Sequence, residues 1–155
     1  MIYIKKTIII FLFISLSNCG FSSVYNNTKN NNLKLKIISM NGDNDFNNQI
    51  KTYAELYSEI NSENEYKIIV NSNFEKIIVT KDTSGVATDY KIIATVKFTV
   101  KANNKDMSFN FQESINTVNN SNLFKQNVYE KNLKKNFANS FIKKLIIKIL
   151  RNNDN

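Results

Sequence analysis

The residue with the clearest chemical potential is Cys19, the only cysteine in the 155-residue chain. It follows two lysines, Lys5 and Lys6, and the apolar run 8–14, in the order of charged and apolar regions that an export signal has. The apolar run is far shorter than the roughly 20 residues that a membrane-spanning helix needs. We therefore expect this segment to direct export and not to remain as a transmembrane anchor.

The residues around Cys19 resemble the lipobox of bacterial lipoproteins, with Leu16, Ser17 and Asn18 before the thiol. The resemblance implies cleavage after Asn18 and acylation of Cys19, which becomes the mature N-terminus. Two or more acyl chains hold a protein firmly at a membrane, whereas one chain binds only marginally. Gly20, after the cysteine, favours sorting to the outer membrane by the same resemblance. The alternative is an ordinary secreted protein with one unpaired thiol, which exported proteins rarely keep.

Other side chains offer little to a catalytic mechanism. The chain contains no histidine, so the usual general base and the usual imidazole metal ligand are missing. Acylation of Cys19 would also remove the only thiol nucleophile. The 13 acidic residues could serve a glycosidase or an oxygen-ligand metal site, but they are scattered and follow no recognisable spacing. We expect a protein that is not an enzyme and that uses no cofactor or metal.

The chain is basic, with a formal charge of +8 that falls to +6 without Lys5 and Lys6. Eight basic residues and one acid lie between residues 121 and 151, so the positive charge belongs to the C-terminal segment. Two interpretations remain open for it. The lysines can form a solvated helix face that suits the helix dipole, or they can face acidic lipid phosphates or an acidic barrel lumen. The export signal argues strongly against nucleic acid as a partner.

The first half of the domain is predicted to contain a strand and a helix. Apolar residues alternate from Leu33 to Met40, and Asp43 or Asn44 can cap the helix that follows. The apolar stripe of this helix, at spacings of three and four residues, consists of Phe46, Ile50, Tyr53, Tyr57 and Ile60, with Ala54 and Leu56 widening it. The opposite face, with Asn47, Lys51, Glu55 and Glu59, is predicted to be solvated.

The second half is predicted to form three strands and a long helix. The strands between about residues 66 and 118 read as an antiparallel meander, with a bulge or kink at residues 71–73. In the final helix, two four-spaced rows make the apolar face: Tyr129, Leu133, Phe137, Phe141, Leu145 and Ile149, and Ala138, Ile142, Ile146 and Leu150. Phe124 and Val128 are predicted to extend that face toward the N-terminal end of the helix.

These elements predict an α+β fold, a two-layer sandwich in the order β-α-β-β-β-α. Two α-helices pack on one face of a four-stranded, mostly antiparallel sheet, because each element has a single apolar face to bury. The other face, with Lys91, Thr95, Lys97 and Thr99, is left to water or to a partner. The expected organisation is a signal peptide at residues 1–18, a lipidated tether at 19–32 and a single domain at 33–151.

Several short motifs together resemble the lipopolysaccharide-assembly lipoprotein family LptE. The similarity extends over most of the mature chain, and its order and spacing matter more than any one motif. The matching segments are Cys19-Gly20-Phe21 with Tyr25, Lys81-Asp82-Thr83, Ala87-Thr88-Asp89-Tyr90, Ala94-Thr95-Val96, Thr99-Val100 and the closing Phe141-Ile142-Lys143-Lys144-Leu145.

The resemblance implies an outer-membrane lipoprotein that plugs a large β-barrel of the LptD type, assists its assembly and contacts lipopolysaccharide. Basic residues near the second-to-third-strand loop and the start of the last helix would bind the lipid, which points to Lys125 and, more weakly, to Lys81. A lysine there would bind a phosphate as a point charge, with an affinity that falls as salt rises. The alternative is a periplasmic lipoprotein that binds an anionic lipid or assists envelope assembly without a barrel partner.

Overall fold

A computed structural model describes residues 33–102 and 105–153 of the chain. It contains four strands and two helices in the predicted order: β1 (Lys34–Gly42), α1 (Asn44–Tyr57), β2 (Glu65–Lys81), β3 (Ala87–Ala102), β4 (Lys105–Val118) and α2 (Leu123–Asn153). The predicted signal peptide, Cys19 and the tether lie outside the described residues. The predicted α+β fold class is confirmed.

The sheet has the strand order β1-β2-β3-β4, with a parallel β1–β2 pair and two antiparallel pairs. The parallel pair arises because α1 crosses over between β1 and β2. β2 extends well beyond β1, whose last paired residue, Gly42, lies beside Ser72. We call the end of the sheet with Leu33 and the β3–β4 turn the lower end, and the end with the β2–β3 turn the upper end.

The core lies between the sheet and the two helices. Phe141 on α2 is fully buried at its centre, with the ring of Phe46 from α1 at 6.1 Å and that of Phe111 from β4 at 6.1 Å between centroids. Alternate residues of β3, from Ile92 to Val100, face this core and are buried, as their period of two predicts. The rows predicted for α2 are buried from Leu133 to Ile149, and Leu150 is partly buried.

The predicted N-cap of α1 is confirmed, but the predicted end of this helix is wrong. Asp43 accepts a hydrogen bond from the backbone N–H of Phe46 at 2.7 Å, which satisfies a free donor of the first turn. The helix ends at Tyr57, and Ile60 is 83% exposed and not part of the apolar stripe. The reason is that the N–H of Glu59 binds the carbonyl of Leu33 at 3.0 Å, which draws the chain away toward β2.

Two further predictions for the first helix are wrong. Asn47, expected on the solvated face, is buried, and Leu56, expected to widen the apolar stripe, is 66% exposed. The first turn of α1 is covered from the side by α2, as the ion pair of Lys134 with Asp43 at 2.9 Å indicates. A helix covered on two sides buries more than a single stripe.

The bulge predicted at residues 71–73 is absent, because Asn71, Ser72 and Asn73 pair regularly with β3. Register shifts lie instead in β1 between Ile37 and Ser39 and near the upper end of β2. Gly42 closely approaches the regular backbone at Ser72.

The extension of the α2 core face to Phe124 and Val128 is also wrong. Both side chains are exposed, and Tyr129 is only partly covered. α1 reaches no further up the sheet than its N-cap, Asp43, which contacts α2 at Lys134. The first turns of α2 therefore extend past α1 and have no helix beside them to pack against.

Candidate functional site

The upper end of the sheet is built around a tight turn closed by Asp82. The Asp82 carboxylate accepts hydrogen bonds from the N–H of Ser84 at 2.9 Å, the hydroxyl of Ser84 at 2.7 Å and the N–H of Val86 at 2.9 Å. Gly85 has a φ of +85°, which suits a glycine in this turn. The hydrogen bond from the Ser84 hydroxyl, followed by that from the Val86 backbone, lowers the pKa of Asp82. The turn therefore favours an ionised aspartate.

The connection from β4 to α2 is bound to the same hairpin. Asn119 donates from its backbone to the carbonyl of Thr88 at 2.7 Å and from its side chain to the carbonyl of Ala87 at 2.9 Å. Asn122 then caps α2 by accepting from the N–H of Lys125 at 3.1 Å. These bonds fix the first turn of α2 beside the start of β3.

The two lysines predicted as a lipid-binding site lie at this upper end. Lys81 is the last residue of β2 and pairs with Ala87, the residue whose carbonyl Asn119 binds. Lys125 lies in the first turn of α2, just beyond the same connection. Both side chains are exposed, and within the described part of the chain neither forms an ion pair. The fold brings to one end of the molecule two cations that are 44 residues apart in sequence.

Exposed apolar side chains lie at the same end of the molecule as these lysines, and we call this set the apolar tip. It includes residues from the end of β2, the turn, the end of β4 and the start of α2: Ile78, Val79, Val86, Val118, Leu123 and Phe124. Leu123 and Phe124 are 77% and 76% exposed. Clustered exposed apolar residues, unlike scattered ones, mark a contact with a partner or a lipid. Sequence reasoning missed the tip, although the unalternating run Ile77-Ile78-Val79 was a visible signal for it.

An ion-pair network below the tip holds α2 onto β2. The Lys76 ammonium lies 2.7 Å from the Glu130 carboxylate and 4.0 Å from the centre of the Tyr90 ring. Gln126, which is buried, donates to the same carboxylate at 2.7 Å. Burial alone would raise the pKa of Glu130, but the hydrogen bonds from Gln126 and Lys76, with the charges of Lys76 and Lys134, lower it. The network stabilises the overhanging part of α2.

A polar groove of about 480 Å³ runs between the two helices. Its lining has balanced charges and consists of Asp45, Asn48, Gln49, Asn127, Glu130, Lys131 and Lys134. Lys134 is held there by Asp43 at 2.9 Å and Asp45 at 3.7 Å. Because the groove is polar and lined by two acids and two lysines, it suits water better than an acyl chain.

Within residues 33–102 and 105–153, no cluster of three or more acidic, cysteine or histidine residues could hold a metal ion. In the same residues, neither helix is long and apolar enough to cross a membrane.

The chain is similar to known proteins in its two-layer β-α-β-β-β-α fold. No family model and no curated relative matches its sequence. Solved structures share its fold, and two of them are bacterial proteins described as lipoproteins. The rare lipoprotein B from Shewanella oneidensis has a TM-score of 0.54 and 13% identity, over 77% of this chain and 96% of that chain. A protein described as a lipoprotein from Caulobacter crescentus CB15 has a TM-score of 0.53 and 10% identity, over 78% and 90%. At these identities the likeness shows the fold alone.

Proposed function

We propose that the chain is an outer-membrane lipoprotein, anchored through Cys19, that plugs and helps assemble the β-barrel through which lipopolysaccharide reaches the surface. The observation that carries this proposal is that Lys81 and Lys125 share the upper end of the molecule with the exposed side chains of the apolar tip. A phosphorylated glycolipid presents phosphates and acyl chains side by side. A surface with cations beside apolar groups matches both parts of such a molecule.

The two parts of the contact contribute in different ways. Each lysine attracts a phosphate as a mobile point charge, so this contribution weakens as salt rises. The apolar side chains gain free energy in proportion to the area that they remove from water, and salt does not screen this gain. The tip is therefore suited to reversible binding of a lipid that passes through an aqueous channel. Neither the lysines alone nor the apolar side chains alone would bind the lipid irreversibly.

The position of Leu33 supports the proposed anchoring. Leu33 lies at the lower end, and β2 rises about 50 Å from there to the upper end, at 3.3 Å for each of its residues. A tether of residues 19–32 would attach the lower end to the membrane that holds Cys19. The tip would then point away from the anchor, as a plug that enters a barrel from the periplasmic side requires.

The solved structures with the same fold support the lipoprotein part of the proposal. Both are described as lipoproteins, one of them as rare lipoprotein B. The sequence motifs that resemble the LptE family supply the more specific part of the proposal. We propose no catalytic role for the chain.

The test is a pull-down of a tagged copy from detergent-solubilised outer membranes, with the intact mass of the bait measured in the same sample. The expected result is a large β-barrel protein in near-equal amount and a bait that begins at an acylated Cys19. An acylated bait without a barrel would contradict the proposal that the chain plugs a barrel. An unprocessed bait would contradict the proposal that Cys19 is a lipid anchor.

A second candidate is a lipoprotein that binds an anionic lipid without a barrel. It is favoured by the same tip, since exposed lysines beside apolar residues can bind a lipid without any protein partner. A stable monomer that copurifies with lipid but never with a barrel would support this candidate.

A further inference from the structure

Three lysines lie side by side across the open face of the sheet, near the lower end. Lys36 on β1 pairs in register with Lys67 on β2, and Lys67 pairs with Lys101 on β3. Their neighbours Leu35, Ile68 and Val100 are buried against the helices, so the three lysines project from the opposite face, where they are exposed. We call these three residues the lysine row.

Such a row is unfavourable in an isolated sheet. Side chains directly opposite each other on neighbouring strands have their Cβ atoms about 5 Å apart, and like charges at this distance repel. Acids compensate only the two ends: Glu65 lies 3.9 Å from Lys36, and Asp106 pairs in register with Lys101. Lys67, in the middle, has a lysine on each side. The arrangement suits an external anion that lies across all three strands.

The rest of the open face differs from its lower end. Higher on the same face, each β2–β3 pair holds at most one charged side chain, as in Asn71 with Lys97 and Ile77 with Lys91, and none joins two lysines. The described chain begins at Leu33, immediately before the strand that carries Lys36. The paired lysines of the open face therefore lie beside Leu33, the residue that would follow the tether.

We propose that the lysine row is a docking surface for the headgroup phosphates of an anionic lipid bilayer. A flat row of cations on a sheet matches a planar array of phosphates, and each basic residue near an anionic surface adds to binding. This inference rests on the proposed function for the anchor at Cys19, which would bring the row to the membrane. It assigns the lower end to the bilayer and leaves the apolar tip for lipopolysaccharide.

The first test measures the accessibility of each lysine in the full chain as purified from membranes. The chain is placed in vesicles with 30% phosphatidylglycerol or in pure phosphatidylcholine vesicles, and amine labelling is followed by mass spectrometry. At the lysine row, labelling should be about fivefold slower with phosphatidylglycerol. This is the ratio of membrane-bound to free lysine that is expected when an anionic surface attracts one basic residue. Lys91, higher on the same face, should label equally in both, and high salt should remove the difference. Equal labelling of the row in both vesicles would overturn the proposal.

The second test separates docking from folding by using Lys67→Gln, with Lys91→Gln as the matched control on the same face. Without lipid, Lys67→Gln should raise the melting temperature at low salt, because it removes the repulsion within the row. Phosphatidylglycerol vesicles should raise the melting temperature of the wild type above its value with phosphatidylcholine, and Lys67→Gln should lose most of that increment. Lys91→Gln should keep it. An unchanged increment in Lys67→Gln would overturn the proposal.

A failure of the lysine-row proposal can be distinguished from a failure of the proposed function. The intact mass reports acylation of Cys19, and the pull-down reports the barrel, independently of any difference between the two lipids. If the row is instead protected in a purified barrel complex and labels equally in both kinds of vesicle, its partner is an acidic protein surface and the bilayer proposal is wrong.

Discussion

Gly42, the last residue of β1, lies directly against the backbone of Ser72 on β2. Its φ is +106°, and a Cβ atom at this position would lie 1.8 Å from the carbonyl oxygen of Ser72. The two backbones can approach this closely only because residue 42 has no side chain. The contact fixes the end of β1 immediately before α1 begins.

Gly42→Ala should therefore destabilise the fold by about 3 kcal/mol, from the strained φ and the clash together. Gly85→Ala is the matched control, since Gly85 also has a positive φ but no atom within 4 Å of its Cβ position. It should cost only about 1 kcal/mol. Urea unfolding of both variants measures the difference, and equal losses would contradict the proposed contact.

The aromatic core gives a second prediction about stability. Phe141→Ala should cost about 3 to 5 kcal/mol, because it leaves a cavity among the rings of Phe46, Phe111 and Phe137. Phe124→Ala, at an exposed position on the same helix, should change the free energy of unfolding by less than about 0.5 kcal/mol. Thermal unfolding checks both values. A large loss from Phe124→Ala would mean that the first turn of α2 packs against the fold.

The Glu130 network predicts a pH dependence with a definite sign. Because the pKa of Glu130 is lowered in the folded chain, the unfolded chain binds the proton more readily. The network therefore adds stability above the ordinary value of 4.5 and loses it as the pH falls through the lowered pKa. Glu130→Gln should cost less than about 1 kcal/mol near pH 7, since the pair is partly solvated, and nothing at low pH. Urea unfolding at both pH values tests this, and a pH-independent difference would be contrary to it.

The charges at the tip give a prediction about binding. The double variant Lys81→Gln with Lys125→Gln should weaken lipopolysaccharide binding by about tenfold or more at low salt, because two cations near the phosphates are lost. The fold should keep its stability, since both side chains are exposed. Lys135→Gln, an exposed lysine further along α2, is the control. Equal binding by the double variant and the control, in a fluorescence titration, would remove these lysines from the site.

The period of apolar residues predicted most of this fold. The even positions of β3 from Ile92 to Val100 and the rows of α2 from Leu133 to Ile149 are buried as expected, because one face of each element must meet the core. The predictions are wrong where a contact with a neighbouring segment overrides the local sequence pattern. Ile60 has the right spacing for a longer helix, but a hydrogen bond between Glu59 and Leu33 ends it.

The candidate site was only partly predictable. Lys81 and Lys125 came from the family resemblance, and no local pattern reveals that they share one end of the molecule. Phe124 continues the apolar period of α2, so its exposure depends on how far α1 reaches along the sheet. The lysine row is invisible in sequence, because it depends on the register of three strands.

The most direct test of the central claim is photocrosslinking in living cells from a probe placed at Phe124. The matched control is a probe at Ile60, an equally exposed apolar position at the lower end. We predict that Phe124 forms a crosslink to lipopolysaccharide and that Ile60 does not. No lipopolysaccharide crosslink at Phe124, or an equal yield from Ile60, would contradict the claim that the apolar tip contacts this lipid.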